Sequence, residues 1–322
     1  MRTFGRLACA CFALLLVLAS GAAWSQSGRS IRLIVPASPG ASTDFVARLS
    51  ADHIGRTQGV TAVVENRPGA NGMIGVDQVA RSAPDGNTLL VTAVTYLLDD
   101  LLRKPNYHPV TSFDPVCFLV QTPAVPVVNA ESPYRTLADF VNAARAKPGE
   151  LSLAAVGPGS TFQLALIAFA RQAGINLTFV PYPGSAPAVT ALVGNHVTSA
   201  ISGYAVVVEQ IKAGKLRALA TVTAQRIEPQ PELPTLDESG FKGVVADNWF
   251  GVVAPARTPK DTLSQLASWF TAAIEAPESK AKLAAQYLYT GGPCGDQFGA
   301  FIRQRHDEYE RVIRDANIGK MQ

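Results

Sequence analysis

Short apolar runs of strand type alternate with stretches of helical period along most of the chain. Residues 31–35 (IRLIV) read as a first strand, followed by a turn of Pro, Gly and hydroxyl residues at 36–44 and a helix over 45–55. A second strand at 61–65, a turn at 66–72, a helix over 74–82 and a third strand at 88–92 continue the pattern. Strands separated by helices in this way predict βαβ units and a parallel sheet covered on both faces. Two apolar stretches, 116–120 and 125–128, then flank residues 121–124, where the chain is expected to cross into a second unit. That unit repeats the layout: helix to 146, strand 151–156, helix to 173 ended by Gly174, strand 178–180, and a helix opened by residues 182–187. Strands at 197–201 and 216–222 enclose a helix over 204–212, and the apolar segment 250–255 is expected to be the return crossing. The tail, 258–318, is helix-rich, with helices over 260–275 and 297–315. The pattern predicts an α/β protein with a discontinuous first lobe (26–124 plus 249–322) and a second lobe inserted at 125–248.

The first residues have a different pattern. Arg2 and Arg6 precede a run of about 13 apolar residues, 7–19, and then the small-residue stretch ending at Ser25. This is the layout of a cleaved secretory signal peptide over 1–25, giving a mature chain that begins near Gln26 in the periplasm. A membrane span needs roughly 20 apolar residues. A lipid-anchored form is disfavoured because Cys9 and Cys11 lie inside the run, not at its end. Removing the leader brings a formal charge of +3 closer to zero, which gives no bulk attraction to nucleic acid or an anionic surface. Charged residues at 16% and hydrophobic residues at 48% suit a large buried α/β core. Cys117 and Cys294 are the thiols left after cleavage, either one disulfide or two buried free cysteines. His53, His108, His196 and His306 show no ligand spacing, so no metal site is expected.

Three loops share one design, small residues and hydroxyls directly ahead of a helix: 38–43, 157–161 and 184–186. A helix N-terminus offers unpaired N–H groups and about half a positive charge, so it attracts an anion without Arg or Lys. Ser42, Thr43, Ser160 and Thr161 either donate to that anion or cap their own helices. The chain has no G-x-S-x-G elbow and no phosphate-binding G-x-x-x-x-G-K-[ST] loop, so no enzyme and no cofactor is expected. Residues 157–160 match the hydrolase elbow only loosely, which leaves an exported serine hydrolase as the weaker reading.

At this level the sequence resembles the Bug family, the substrate-binding proteins associated with tripartite tricarboxylate transporters. The matching stretches are IRLIVPASPGASTD (31–44), VVENRPGANG (63–72), PDGNTLLV (84–91) and YPGSAP (182–187). AGKLRALA (213–220), PTLDESG (234–240) and WFGVVAP (249–255) follow in the family's order. The resemblance implies a two-lobed type II periplasmic binding protein, of Venus-flytrap form with two interlobe crossings. It further implies a monomer that closes on one small carboxylate and serves a membrane transporter or a membrane sensor, with no nucleic-acid partner.

Carried over onto this chain, the family's ligand loop is 36–43, where Ser38, Ser42, Thr43 and the backbone of Pro39, Gly40 and Ala41 face the carboxylate. Ser160, Thr161 and Gln163 would supply hydroxyls and an amide from the second lobe, and Thr92, Thr95 and Tyr96 would line the same cleft. Ser202 and Tyr204 complete the expected set. Asp44 either orients a ligand amine or braces its own helix. The chain departs from the family at Ala41, where a second glycine is expected, and at Gln163, where histidine is frequent. It also has Thr198 and Ser202 where aspartates are frequent, which favours a ligand without an amine.

Overall fold

A computed structural model describes residues 29–315, apart from 158–159, 224, 228, 245 and 247. The proposed signal peptide lies outside the described residues. Two five-stranded mixed sheets organise the chain. The first has the order β2-β1-β3-β10-β4, from β1 (Ser30–Val35), β2 (Thr61–Asn66), β3 (Thr88–Ala93), β4 (Phe113–Thr122) and β10 (Asn248–Pro255). The second repeats that order as β7-β6-β8-β5-β9, from β5 (Ala124–Asn129), β6 (Ser152–Val156), β7 (Thr178–Tyr182), β8 (Ser199–Gly203) and β9 (Leu216–Ala218). In each sheet one strand runs antiparallel to its neighbours: β10 between β3 and β4, and β5 between β8 and β9.

The near-continuous apolar runs of the central strands follow from burial on both faces. Successive side chains point to opposite faces, so each strand feeds two cores. Leu33, Leu89 and Val252 pack with α1 (Ser42–Gln58) and α8 (Lys260–Glu275) on one side of the first sheet. Ile34, Leu90 and Val253, one residue on, pack on the other side with α2 (Met73–Ala80), α3 (Thr95–Arg103) and α10 (Gly295–Asp315). The second sheet alternates likewise. Leu153 and Ala155 face α4 (Leu137–Ala146) and α5 (Thr161–Ala173), while Ala154 faces α6 (Ser185–Val193) and α7 (Tyr204–Lys212).

The chain leaves the first sheet at Thr122 and enters the second at Ala124, with Pro123 between them. It returns ahead of Asn248. Residues 250–255 are therefore not the return crossing: they are a central strand of the first sheet, hydrogen-bonded on both sides. The tail also holds one more helix than its pattern suggested, α9 (Pro277–Ala285). This is the two-lobed type II binding-protein architecture. Cys117 and Cys294 are joined by a disulfide that ties β4 to the segment ahead of α10.

Candidate functional site

The strand registers determine which loops share an edge. β1 and β3 are parallel, so the turn into α1 and the turn into α3 lie at one carboxyl edge of the first sheet. β4 runs in the same direction, and Thr122 brings the crossing out at that same edge. In the second sheet β6, β7 and β8 are parallel, which puts the turns into α5, α6 and α7 at one carboxyl edge. The crossing enters there, because Ala124 pairs with Gly203 at the end of β8 and Tyr204 N donates to Pro123 O at 2.8 Å. The carboxyl edges of the two sheets therefore meet at the crossing. In open α/β sheets ligands bind outside the carboxyl ends of the strands.

At the first edge the loop after β1 is held in shape from behind. Gly40 has φ +86°, a left-handed conformation that favours glycine, and a Cβ there would meet nothing within 4 Å. Its N–H donates to Asp44 Oδ2 at 2.9 Å, Arg48 Nε donates to the same oxygen at 3.0 Å, and Asn66 Nδ2 donates to Oδ1 at 2.9 Å. Asn66 also reaches Ala37 O at 3.1 Å, so β2 is tied to the loop. Below it Gly72, with φ +94°, packs so tightly that a Cβ would lie 2.8 Å from Pro36 O. Asp44 is buried, which raises its pKa, but the bonds from Arg48, Gly40 and Asn66 outweigh that and hold it below the ordinary carboxylate value. Asp44 thus braces the loop with both oxygens engaged. Ala41 has an extended backbone (φ −68°), so the missing second glycine costs no conformational freedom.

The hydroxyl loops differ from one another. Ala41 is the residue ahead of α1 and offers no side-chain cap to its first N–H groups, and Gly184 and Gly203 leave α6 and α7 likewise without a side-chain cap. Ser160, ahead of α5, does cap: its Oγ accepts from Gln163 N at 3.2 Å and donates to Val156 O at 2.8 Å. Pro158 and Gly159 lie outside the described residues. Ser38, Pro39, Gly40, Ser42 and Thr95 are exposed along the first edge, and Ala41, Ser160 and Gln163 are half-buried. Thr43, Thr92, Thr161, Ser202 and Tyr204 are buried. The structure withdraws Tyr96 from the edge, since its ring lies inside the first lobe against Phe113 and Trp249. Burial also raises the pKa of its hydroxyl.

The halves also meet through side chains, near the start of α7 and at the far end of α5. Leu164 of α5 packs into the core of the first lobe, and Arg171 NH1 meets Asp315 Oδ2 at 2.9 Å. Tyr287 stacks edge-on with Tyr204, and its hydroxyl donates to Glu209 Oε1 at 3.3 Å. A separate groove of about 840 Å³ on the second lobe includes Arg145 and Arg217, but these guanidinium groups already donate to the carbonyls of Ala173, Tyr134 and Ala130. Asn66 and Arg48 are the site residues that sequence reasoning missed. The only signal for Asn66 was its place in the VVENRPGANG stretch.

Comparison with known proteins agrees with this architecture. Residues 46–318 match the family model described as the tripartite tricarboxylate transporter family receptor, TctC. Protein BugT of Bordetella pertussis is 33% identical over 290 residues, covering 89% of this chain and 89% of BugT. A TctC solute binding protein from Polaromonas superposes with a TM-score of 0.83 at 27% identity, over 89% of this chain and 98% of that one. An R. palustris protein solved with adipate gives a TM-score of 0.72 at 30% identity, over 92% of this chain and 100% of its own. The matched segment holds every strand of both sheets except β1, and the chain belongs to the tripartite tricarboxylate transporter receptor family.

Proposed function

We propose that this chain is a periplasmic solute-binding receptor that holds a small carboxylate between the carboxyl edges of its two sheets and delivers it to a membrane transporter. Its family is one of receptors, and that of transporters is in its name. The observation that carries the site is the N-terminus of α1: no side chain caps it, and it opens behind Gly40 at an exposed edge. Such a terminus binds an anion through backbone N–H groups and the helix dipole. The passage through Pro123 and the entry to β10 at Asn248 support a discontinuous first lobe with limits within a residue of 26–124 with 249–322, and a second lobe near 125–248. A ligand touching both edges favours the closed form by the contacts it makes only there.

The ligand we infer is a dicarboxylate without an amine. The R. palustris relative was solved with adipate. In this chain the Asp44 oxygens already have three donors, Thr198 Oγ1 is bonded to Ser152, and Ser202 is buried. None of these offers an ammonium group a free carboxylate. A ligand at a hundredfold excess over its Kd stabilises the folded state by about 2.7 kcal/mol, which is a rise of a few degrees in Tm for a chain of this size. A series of dicarboxylates from succinate to adipate should contain at least one that produces this shift, while the matching diamides produce none. Gly40→Val, which strains the loop and crowds the N–H groups, should abolish the shift. If Gly40→Val folds, as judged by circular dichroism, and binds the same dicarboxylate normally, the loop after β1 is not the anion site.

A further inference from the structure

We propose that Asp100, His108 and His306 form a binding site for a divalent transition metal of the zinc class, on the first lobe and apart from the carboxylate site. Two of the scattered histidines, 198 residues apart in sequence, come together in the fold beside an acidic residue. Asp100 belongs to α3, His306 to α10, and His108 to the loop between α3 and β4. One ligand atom from each lies within 4.8 Å of the other two. His306 Nε2 is 2.9 Å from Asp100 Oδ2, and the His108 and His306 rings lie 5.4 Å apart between centroids.

The donor set is two imidazoles and one carboxylate, a combination that suits zinc and leaves a fourth, tetrahedral position for water. Ligand atoms around four-coordinate zinc sit roughly 3.3 Å apart, given bonds of about 2.0–2.1 Å. The His306–Asp100 pair therefore opens slightly, and His108 moves inward. His108 is exposed on a loop, so this motion meets little resistance. Its Nδ1 now accepts from Val110 N at 3.2 Å. Coordination through Nε2 moves the imidazole proton to Nδ1, and the half-exposed Val110 N–H turns to water instead.

The same exchange applies at His306. Its Nε2 gives up the hydrogen bond to Asp100 and takes the metal, and its proton shifts to Nδ1. There the exposed Asp307 Oδ1 stands 3.9 Å away and would have to swing closer to act as an outer carboxylate that orients the ring. No redox step is needed. Asp99 does not compete for the ion, because it is committed to Asn71 at 2.8 Å and Arg103 at 2.9 Å. The bound ion would pin α10 to α3 and to the loop between α3 and β4.

The test uses the mature chain with no histidine tag, stripped with EDTA, and titrated with Zn²⁺ against a chromophoric chelator and separately with Co²⁺. The expected result is one equivalent bound and the intense visible bands of four-coordinate cobalt. His108→Ala should fold and melt as the wild type without metal, since the side chain is exposed, and should weaken Zn²⁺ binding by more than about tenfold, the loss typical of removing an outer partner alone. Asp307→Asn should weaken it less. A double variant His53→Ala/His196→Ala should bind as the wild type does. Failure of the wild-type chain to bind one Zn²⁺, undiminished binding in His108→Ala, or loss of binding in the double variant would each overturn the assignment.

Discussion

Asp44 accepts from three donors at once, the Gly40 N–H, Arg48 Nε and Asn66 Nδ2. Its neutral analogue Asn offers one acceptor oxygen, and its NH₂ would face a donor whichever way the amide turned. Asp44→Asn should therefore destabilise the chain by about 1–3 kcal/mol, the usual penalty for breaking a buried, charge-assisted set. The folded pKa of Asp44 lies below its unfolded value. Its stabilising contribution is thus complete above the unfolded pKa, near 4, and fades as pH falls through the folded value. Urea denaturation of the two proteins should show the stability gap closing as pH drops below about 4. A gap that stays constant across that range would mean that the charge of Asp44 contributes nothing. Asp44 itself could be read from the sequence as a brace or a ligand group, but Asn66 could not, because it lies 22 residues away and only the β1–β2 pairing brings it to the loop.

At the scale of elements, the loops before α1 and α5 look alike in sequence and separate in structure. Ser160 satisfies the start of α5 with its own hydroxyl, whereas Ala41 has none to give α1. Replacing Ser160 with Ala should cost about 1 kcal/mol of stability, the typical value of a lost N-cap. Because its hydroxyl is occupied on both sides, affinity for the carboxylate should change less than twofold, which calorimetric titration would check. Loss of binding with unchanged stability would return Ser160 to the ligand set. The strands of the parallel units were legible because their runs are apolar and bounded by turn residues, and Gly174 marked the end of α5 as expected. α3 was not legible. Its sequence TYLLDDLLR follows Val94, which provides no cap, so nothing marks its start, although Pro105 directly after the Lys104 C-cap does mark its end. β10 was misread as a connection because periodicity cannot show that a segment far along the chain inserts antiparallel between β3 and β4.

The whole molecule is closed by a bond that spans both halves in sequence. Cys117 and Cys294 are 177 residues apart, and the loop they close contains every strand of the second sheet. Both ends of the bond belong to the first lobe: Cys117 is buried in β4, and Cys294 precedes α10. A disulfide closing a long loop stabilises mainly by restricting the unfolded chain, with typical values of about 2–5 kcal/mol. The two halves can be followed separately. Trp24 lies in the expected leader, so after cleavage Trp249 in β10 and Trp269 in α8 are the chain's tryptophans, and both sit in the first lobe. Tryptophan emission then reports the first lobe, while far-ultraviolet circular dichroism reports both. In Cys117→Ala/Cys294→Ala the fluorescence transition in guanidinium should move to lower denaturant. The dichroism curve should broaden or split, as the helices and strands of the second lobe persist past it. If both signals keep the wild-type midpoint, the bridge does not stabilise the first lobe. If both fall together, the two lobes unfold as one unit despite the separate cores on their two sheets.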